Sequence, residues 1–83
     1  MQSVILYYKP TCGYCLKVLR FIRDNDIMVK LMNVSEGPEI RKEFIDLTGN
    51  TQVPCLVHGG EILYESEDII DWLTENGEKN DHA

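Results

Sequence analysis

The stretch VILYYKPTCGYC, residues 4–15, joins an apolar, strand-like run to a pair of cysteines at the start of a helix. Residues 4–8 are aliphatic or aromatic, which favours a strand, and Lys9-Pro10-Thr11 interrupts the run. After Cys15 the apolar side chains at positions 18, 19 and 22 recur at helical spacing. The pattern therefore predicts a strand followed by a helix whose first turn contains Cys12 and Cys15.

This position has a chemical consequence for the two thiols. A cysteine in the first turn of a helix faces backbone amides without partners and the positive end of the helix dipole, both of which favour the thiolate. We therefore expect Cys12 to be acidic, with Lys9 adding a nearby positive charge. Cys15, one helical turn later, lies close enough to close a disulfide with Cys12. A buried apolar pair and a zinc ribbon are the alternatives, but the placement between strand and helix favours redox chemistry.

A zinc site is considered because Cys12-x-x-Cys15 and Cys55-x-x-His58 together supply four possible ligands. The separation between the pairs is longer than in ribbon-type sites, and residues three apart on a strand point to opposite faces. We therefore predict no metal site. Cys55 is interpreted as a small apolar core residue, and His58, beside a pair of glycines, as a surface residue next to a turn.

Composition limits the remaining possibilities. The chain has 83 residues, enough for one domain with a modest core. Its net charge of -6 disfavours nucleic acids and acidic membrane surfaces as partners. Three cysteines, an odd number, argue against a secreted disulfide framework. No signal peptide or membrane-spanning stretch is recognised, so we predict a cytoplasmic protein that acts on small thiols or partner proteins.

The first half of the chain alternates helical and strand patterns. A helix is predicted over residues 13–25, and the β-branched and apolar residues 27–34 predict a second strand. Pro38 stands where a second helix begins, and Gly49 where it ends.

The second half predicts a β-hairpin and a last helix. Strands at 53–58 and 61–64 flank a Gly-Gly turn, and Ser66 caps a helix that runs to residue 77. The order β-α-β-α-β-β-α predicts an α/β, thioredoxin-like fold with a four-stranded mixed sheet flanked by helices. Residues 1–77 are predicted to form this single domain, and residues 78–83 a polar, flexible tail.

Pro54 is a candidate site residue because it lies at the start of a predicted strand, where proline cannot donate to the ladder. On the residues alone, a trans proline on an edge strand is the simpler interpretation, and a cis Val53-Pro54 bond is the alternative. A cis bond would turn the backbone of Val53 outward beside Cys12, where it could pair with an extended peptide.

Charged residues supply further candidates. The run Glu65-Ser66-Glu67-Asp68 either caps the third helix with favourably placed acids, or binds a carboxylate through its amides and an ammonium through its side chains. A γ-glutamyl group offers both of these charges.

At the other end of such a ligand, Lys9 and Arg41 are either solvated charges or partners of a second carboxylate. Tyr14 is either core packing or a wall of the site, and the accessibility that thiol exchange requires favours the wall.

Together, the segments KPTCGYC at 9–15, TQVP at 51–54 and SED at 66–68 resemble a glutaredoxin, and the similarity extends from Val4 to Leu73. The resemblance implies glutathione-dependent thiol–disulfide exchange, with Cys12 as the nucleophile and Cys15 as the resolving thiol. It implies the following glutathione-binding roles: Lys9 and Arg41 at the glycine carboxylate, Tyr14 along the groove, Val53 pairing its backbone with the cysteinyl unit beside a cis Pro54, and Ser66 and Glu67 at the γ-glutamyl end.

Two departures from the common glutaredoxin pattern open alternatives. Gly13 replaces a frequent proline and resembles members that hold a 2Fe-2S cluster between two chains with glutathione as co-ligand. The segments VPCL at 53–56 and LYES at 63–66 are similar to the N-terminal domain of glutathione transferases. A full transferase would need a helical second domain, for which we expect this chain to be too short.

We therefore expect an enzyme that uses glutathione to reduce glutathionylated proteins and protein disulfides. It is expected to be a monomer unless a cluster is bound. The alternatives are a glutathione-ligated iron–sulfur cluster carrier and a non-catalytic glutathione-binding module.

Overall fold

The computed structural model describes residues 4–79, and within them the predicted element order is confirmed. The elements are β1 (Val4–Tyr8), α1 (Gly13–Asp24), β2 (Lys30–Asn33), α2 (Pro38–Thr48), β3 (Cys55–His58), β4 (Glu61–Leu63) and α3 (Ser66–Asn76). Among residues 4–79, no helix combines the length and the apolar character needed to cross a membrane.

The four strands form one mixed sheet in the order β2-β1-β3-β4. β1 runs parallel to β2 and antiparallel to β3, so Leu6 lies opposite Leu31 on one side and Leu56 on the other. β3 and β4 form an antiparallel hairpin whose turn residues, Gly59 and Gly60, have φ values of 51° and 85°. Glycine adopts this left-handed backbone without steric cost, which is why the Gly-Gly pair marks the turn.

Side-chain alternation along the central strands divides the core between the two faces of the sheet. The α1/α3 core contains the buried residues Leu6, Val18, Ile22, Ile27, Leu56, Ile69 and Leu73. The α2 core, on the opposite face, contains Tyr7, Val34, Phe44 and Cys55. Adjacent residues on β1 and on β3 thus belong to different cores, as the period of two in a strand requires.

Helix boundaries agree with most of the sequence signals. Pro38 occupies the first turn of α2, and Gly49 ends that helix in the left-handed conformation with φ of 71°. The predicted cap of α3 is wrong by one residue. Glu65 is the N-cap, Ser66 is the first helical residue, and the N-cap makes no side-chain capping hydrogen bond.

The strand signals were less accurate at their N-terminal ends. β2 begins at Lys30 rather than at residue 27, because Ile27 instead forms an isolated antiparallel bridge with Lys79. The amide of Met28 also donates to the Glu78 carbonyl at 2.7 Å. Glu78 and Lys79, the first two residues of the predicted tail, are therefore paired, and residues 80–83 lie outside the described part of the chain.

The interpretation of His58 as a surface residue is wrong. Its relative exposure is 5%, and its ring stacks on that of Trp72 in α3 with a centroid distance of 4.0 Å. Cys55 is completely buried in the α2 core, as expected for a small apolar residue. The two side chains therefore lie on opposite faces of β3, which agrees with the geometric argument against a shared ligand site.

Candidate active site

Cys12 lies at the junction between the sheet and α1. It is the N-cap residue of that helix, and its carbonyl accepts the first helical hydrogen bond from the Leu16 amide at 3.0 Å. Its own amide donates to the Lys9 carbonyl at 3.2 Å, which closes the turn after β1. The thiol is half-buried and donates to the carbonyl of Val53, with 3.9 Å between Sγ and oxygen.

The surroundings of Cys12 favour its thiolate. Partial burial raises the pKa of the Cys12 thiol, but hydrogen bonds from the backbone and thiol of Cys15 and from the backbone of Tyr14, together with the charge of Lys9, lower it by more. The pKa of Cys12 therefore lies below the ordinary value of a thiol. These are the amides that the first turn of a helix leaves without partners.

Cys15 has the opposite character although it lies only three residues away. It is completely buried, and burial raises the pKa of its thiol to about 11. Cys12 and Cys15 are both free thiols in the structure. An acidic, accessible thiol beside a buried one that stays protonated can divide the roles of attacking and resolving group.

The segment before β3 lies beside Cys12 and forms a wall of the site. The Val53-Pro54 peptide bond is cis, as the family resemblance implied and contrary to the simpler reading of the residues alone. Pro54 is buried, whereas Val53 is partly exposed and directs its carbonyl toward the Cys12 thiol. β3 accordingly starts at Cys55 rather than at residue 53, because proline has no N–H to donate to the ladder.

A groove of about 310 Å³ extends from this wall to the start of α3. It is lined by Tyr14, Gln52, Val53, Pro54, Tyr64, Glu65, Ser66 and Glu67. Five of these, Tyr14, Val53, Pro54, Ser66 and Glu67, are predicted site residues, and the structure brings them together along one surface. Tyr14 is 69% exposed, so its ring forms a wall rather than part of the core.

The two predicted cations are placed differently. Lys9 is half-buried and close enough for its charge to lower the pKa of Cys12, although it does not line the groove. Arg41 is exposed on α2 and is also absent from the groove lining. The structure thus places the charge of Lys9 near the Cys12 thiol and leaves the predicted role of Arg41 unsupported by any contact.

Other residues of the groove were not predicted from the sequence. Gln52 and Tyr64 line it, and their positions next to the Val53-Pro54 pair and before α3 were the available signals. Lys17, on α1, forms an ion pair with Glu67 on α3. The two residues are 50 positions apart, so no local pattern could have predicted that contact.

The structure offers little support for a resident metal group. Within residues 4–79, no three His, Cys, Asp or Glu side chains converge as a metal-binding set. Of the three cysteines, Cys15 and Cys55 are fully buried, so Cys12 alone presents a thiol to the surface. A 2Fe-2S cluster needs more ligands than this one thiol, so the described residues of a single chain fit one only if a second chain and glutathione supply the other ligands.

The sequence is similar to glutaredoxins and to glutathione transferases. The family model described as Glutaredoxin matches residues 4–63. Glutathione S-transferase D7 of Anopheles gambiae is 30% identical over 74 residues, which cover 87% of this chain and 34% of that protein.

Solved structures similar to this chain also include a glutathione transferase and a glutaredoxin. A delta-class glutathione transferase of Nilaparvata lugens matches with a TM-score of 0.70 and 29% identity, over 94% of this chain and 38% of the transferase. A buckwheat glutaredoxin in complex with glutathione matches with a TM-score of 0.66 and 17% identity, over 89% of this chain and 70% of the neighbour. The chain thus spans about a third of the length of the transferases it matches.

Proposed function

Because this chain belongs to the glutaredoxin family, we propose that it is a glutathione-dependent oxidoreductase that reduces protein–glutathione mixed disulfides and protein disulfides through Cys12 and Cys15. The observation that carries the proposal is the pair of thiols with opposite pKa shifts at the start of α1. Cys12 opens toward the backbone of Val53 and the groove beyond it, where a tripeptide thiol can lie extended.

The mixed-disulfide reaction needs Cys12 alone. Its thiolate attacks the glutathione sulfur, a disulfide forms between Cys12 and glutathione, and the target leaves as a thiolate that takes up a proton. A second glutathione thiolate then attacks the bound glutathione sulfur. This step releases oxidised glutathione and restores the Cys12 thiolate.

Protein disulfides need the second cysteine. Cys12 attacks one sulfur of the target and forms a mixed disulfide with it, and Cys15 then attacks Cys12 to release the reduced target. For this step Cys15 must lose its proton, which burial, the main cause of its raised pKa, disfavours; consumption of the Cys12 thiolate removes a smaller contribution to that shift. Two glutathione molecules reduce the resulting Cys12-Cys15 disulfide.

In this proposal glutathione lies along the groove, with its γ-glutamyl end at the start of α3 and its glycine carboxylate near Lys9. The Val53 backbone faces the cysteinyl unit, Tyr14 flanks it, and Ser66 and Glu67 at the start of α3 hold the γ-glutamyl end. Lys9 serves the glycine carboxylate through its position beside Cys12. Arg41 is retained as a second candidate for that carboxylate, to be tested by substitution.

The experiment is turnover of a glutathionylated small disulfide, coupled to glutathione reductase, with the wild type, Cys12→Ser and Cys15→Ser side by side. We expect Cys12→Ser to reduce turnover to the rate of the uncatalysed exchange. Cys15→Ser should keep this reaction and lose the reduction of a protein disulfide. Loss of both reactions in Cys15→Ser would contradict the assigned roles.

The transferase relatives favour one alternative, a non-catalytic glutathione-binding module, because they share this domain within chains about three times as long. A folded, reduced wild type that binds glutathione but does not turn over the disulfide would support it. Visible absorption with dimerisation in freshly purified protein would instead support a cluster carrier.

A further inference from the structure

Asn76 and Gly77, at the end of α3, form a residue pair with a characteristic spontaneous reaction. Asn76 is the only asparagine of the chain that a glycine follows. In such a pair the backbone nitrogen of the glycine can attack the side-chain amide carbon of the asparagine, because a glycine without a Cβ atom leaves the approach unhindered. The pair is therefore a candidate deamidation site, for which water is the only other reactant.

The reaction has two steps, neither of which oxidises or reduces any atom. In the first, a bond forms between the Gly77 nitrogen and Cγ of Asn76, and the bond between Cγ and Nδ2 breaks. The side-chain nitrogen leaves as ammonia and takes the proton of the glycine amide with it, which leaves a cyclic imide. In the second, water opens the ring at either imide carbonyl. One opening gives aspartate, and the other gives isoaspartate, whose backbone contains an additional methylene group.

The structure restrains both groups that react in the first step. The amide of Gly77 donates to the Leu73 carbonyl at 2.8 Å, so the nitrogen that must lose its proton is held in a hydrogen bond. Nδ2 of Asn76 donates to the Trp72 carbonyl at 3.1 Å, which directs the side-chain amide back along the helix and away from Gly77. In the folded protein the attacking nitrogen and the amide carbon are therefore kept apart.

The chain at and after Gly77 is also held by the segment before β2, and we call these contacts the C-terminal clasp. The Met28 amide donates to the Glu78 carbonyl at 2.7 Å. A Cβ atom on Gly77 would lie 2.9 Å from Cγ2 of Ile27, so a larger residue does not fit without displacement. The fold thus requires the glycine that makes the preceding asparagine reactive, and the same packing blocks the reaction.

We propose that Asn76-Gly77 is a deamidation site whose rate is set by unwinding of the last turn of α3. The end of a helix opens locally far more often than the whole protein unfolds. Each opening breaks the hydrogen bonds of Asn76 and Gly77 and allows the glycine nitrogen to reach the amide carbon. The rate of deamidation therefore follows the population of the open helix end.

Modification in turn weakens the C-terminal clasp. Aspartate at position 76 cannot donate to the Trp72 carbonyl, and its charge lies at the negative end of the helix dipole. Isoaspartate lengthens the backbone before Gly77 and displaces this residue from Ile27. The site lies at the opposite end of α3 from the residues that line the groove, so the expected effect is on the stability of the helix end.

The test follows deamidation by mass spectrometry of the peptide that contains Asn76, with chromatography to separate aspartate from isoaspartate. The folded wild type in mildly alkaline buffer is compared with the same chain in concentrated urea. Glu75→Gly and Glu75→Ala form a matched pair, since both remove an exposed charge from the last turn and only glycine disfavours the helix. Asn76→Gln, whose side chain would have to close a larger ring, is the unreactive control.

We expect the folded wild type to deamidate at least tenfold more slowly, on the order of the protection that a closed helix end gives, than the chain in urea. In the folded protein Glu75→Gly should react about threefold faster than Glu75→Ala, and in urea the two should react at the same rate. Hydrogen exchange of the Met28 amide should be faster in the isoaspartate product than in the unmodified protein.

Three results would overturn the proposal. They are equal rates for the wild type in buffer and in urea, no reaction at Asn76 in urea, and equal rates for the two Glu75 variants in the folded protein. Unchanged hydrogen exchange at Met28 in the isoaspartate product would overturn the effect on the C-terminal clasp. None of these measurements depends on thiol chemistry, so they stand apart from the proposed function.

Discussion

At the scale of single residues, Cys12 and Cys15 show how position determines the acidity of a thiol. The two residues are of the same type and lie three positions apart at the start of α1, yet their pKa values are shifted in opposite directions. Cys12 receives amide hydrogen bonds at the helix start, whereas the Cys15 side chain is completely shielded from water. The difference between them is therefore one of solvation and hydrogen bonding.

This difference predicts a pH dependence for alkylation by iodoacetamide. Because the thiolate reacts and the pKa of Cys12 is lowered, its alkylation rate should rise with pH with a midpoint below about pH 8.5, where an ordinary thiol is half ionised. Cys15, with a pKa of about 11, should stay unmodified in the folded protein over that range.

Mass spectrometry of the modified peptides measures both rates, and Cys12→Ser is the control that should lose the fast phase. A midpoint for Cys12 at or above about pH 8.5 would show that the helix start does not stabilise its thiolate.

Residue-level signals in the sequence succeeded where the cause was local. The acidity of Cys12 follows from a helix that begins beside it, and this could be read from the spacing of apolar residues. The burial of His58 could not be read, because the adjacent Gly59-Gly60 turn signals exposure while Trp72, 14 positions later, covers the ring. Tertiary contacts of this kind leave no local pattern.

At the scale of secondary-structure elements, the end of α3 is packed tightly against the segment after α1. A Cβ atom on Gly77 would lie 2.4 Å from the Leu73 carbonyl oxygen and 2.9 Å from Cγ2 of Ile27. The amide of Gly77 also donates to that carbonyl at 2.8 Å. Glycine is required here by lack of space, since its backbone has φ of −64°.

We predict that Gly77→Ala lowers the free energy of unfolding by about 1–3 kcal/mol, because the added methyl group forces the helix end and Ile27 apart. Urea denaturation measures the change. The matched control is Gly13→Ala, where nothing lies within 4 Å of the added atom and alanine favours the helix. Equal destabilisation by both changes would contradict the steric explanation.

The contact between β3 and α3 supports a second prediction at this scale. Among the described residues, Nε2 of His58 has no hydrogen-bond partner, and a carboxylate oxygen of Glu61 lies 3.6 Å away. His58→Phe keeps a ring against Trp72 and removes the unpaired nitrogen, so it should preserve stability.

His58→Ala removes the ring altogether and should cost about 1–3 kcal/mol through the cavity it leaves. Thermal and urea unfolding of the two variants provide the comparison. A phenylalanine variant as unstable as the alanine variant would show that the imidazole nitrogen itself is needed.

Element boundaries also show why part of the fold was predictable. Pro38 and Gly49 bound α2 correctly because both act through their own backbone geometry. The region at 27–29 was assigned to β2 on its apolar content, but its hydrogen-bond partners are Glu78 and Lys79. Apolar content identifies a buried segment without identifying the chain that pairs with it.

At the scale of the whole molecule, charge is the property with the widest effect. The net charge of -6 makes the protein repel anions and attract cations over distances comparable with the Debye length. Within the groove, the acidic side chains of Glu65 and Glu67 add further negative charge. The radius of gyration is only 12.2 Å, comparable with the Debye length, so this field extends over the Cys12 thiol as well.

We therefore predict that, of two glutathionylated peptides of equal length, a lysine-rich one is reduced with a kcat/KM about tenfold higher than a glutamate-rich one at low salt. The ratio should approach one as the ionic strength rises to about 1 M, where the Debye length is about 3 Å. Initial rates across a salt series measure it. A ratio that does not depend on salt would point to specific contacts rather than to the overall field.

The global fold was predictable because three separated motifs and the element order agreed with one another. The site was predictable only in part, since Cys12, Val53-Pro54 and Ser66 were marked by local chemistry. The Lys17–Glu67 pair became visible only when the helices were placed side by side. Both residues look like ordinary surface charges in the sequence, and their contact depends on the packing of α1 against α3.

The stacking of His58 on Trp72 has a spectroscopic consequence. Trp72 is the protein's only tryptophan, and its partner His58 pairs with Val4, at the opposite end of the sheet from the β1 residues that lead to Cys12. Intrinsic fluorescence should therefore report the melting of α3 and be nearly silent to opening and closing of the Cys12-Cys15 disulfide. A redox titration of this protein will need a probe attached near Tyr14 rather than its native chromophore.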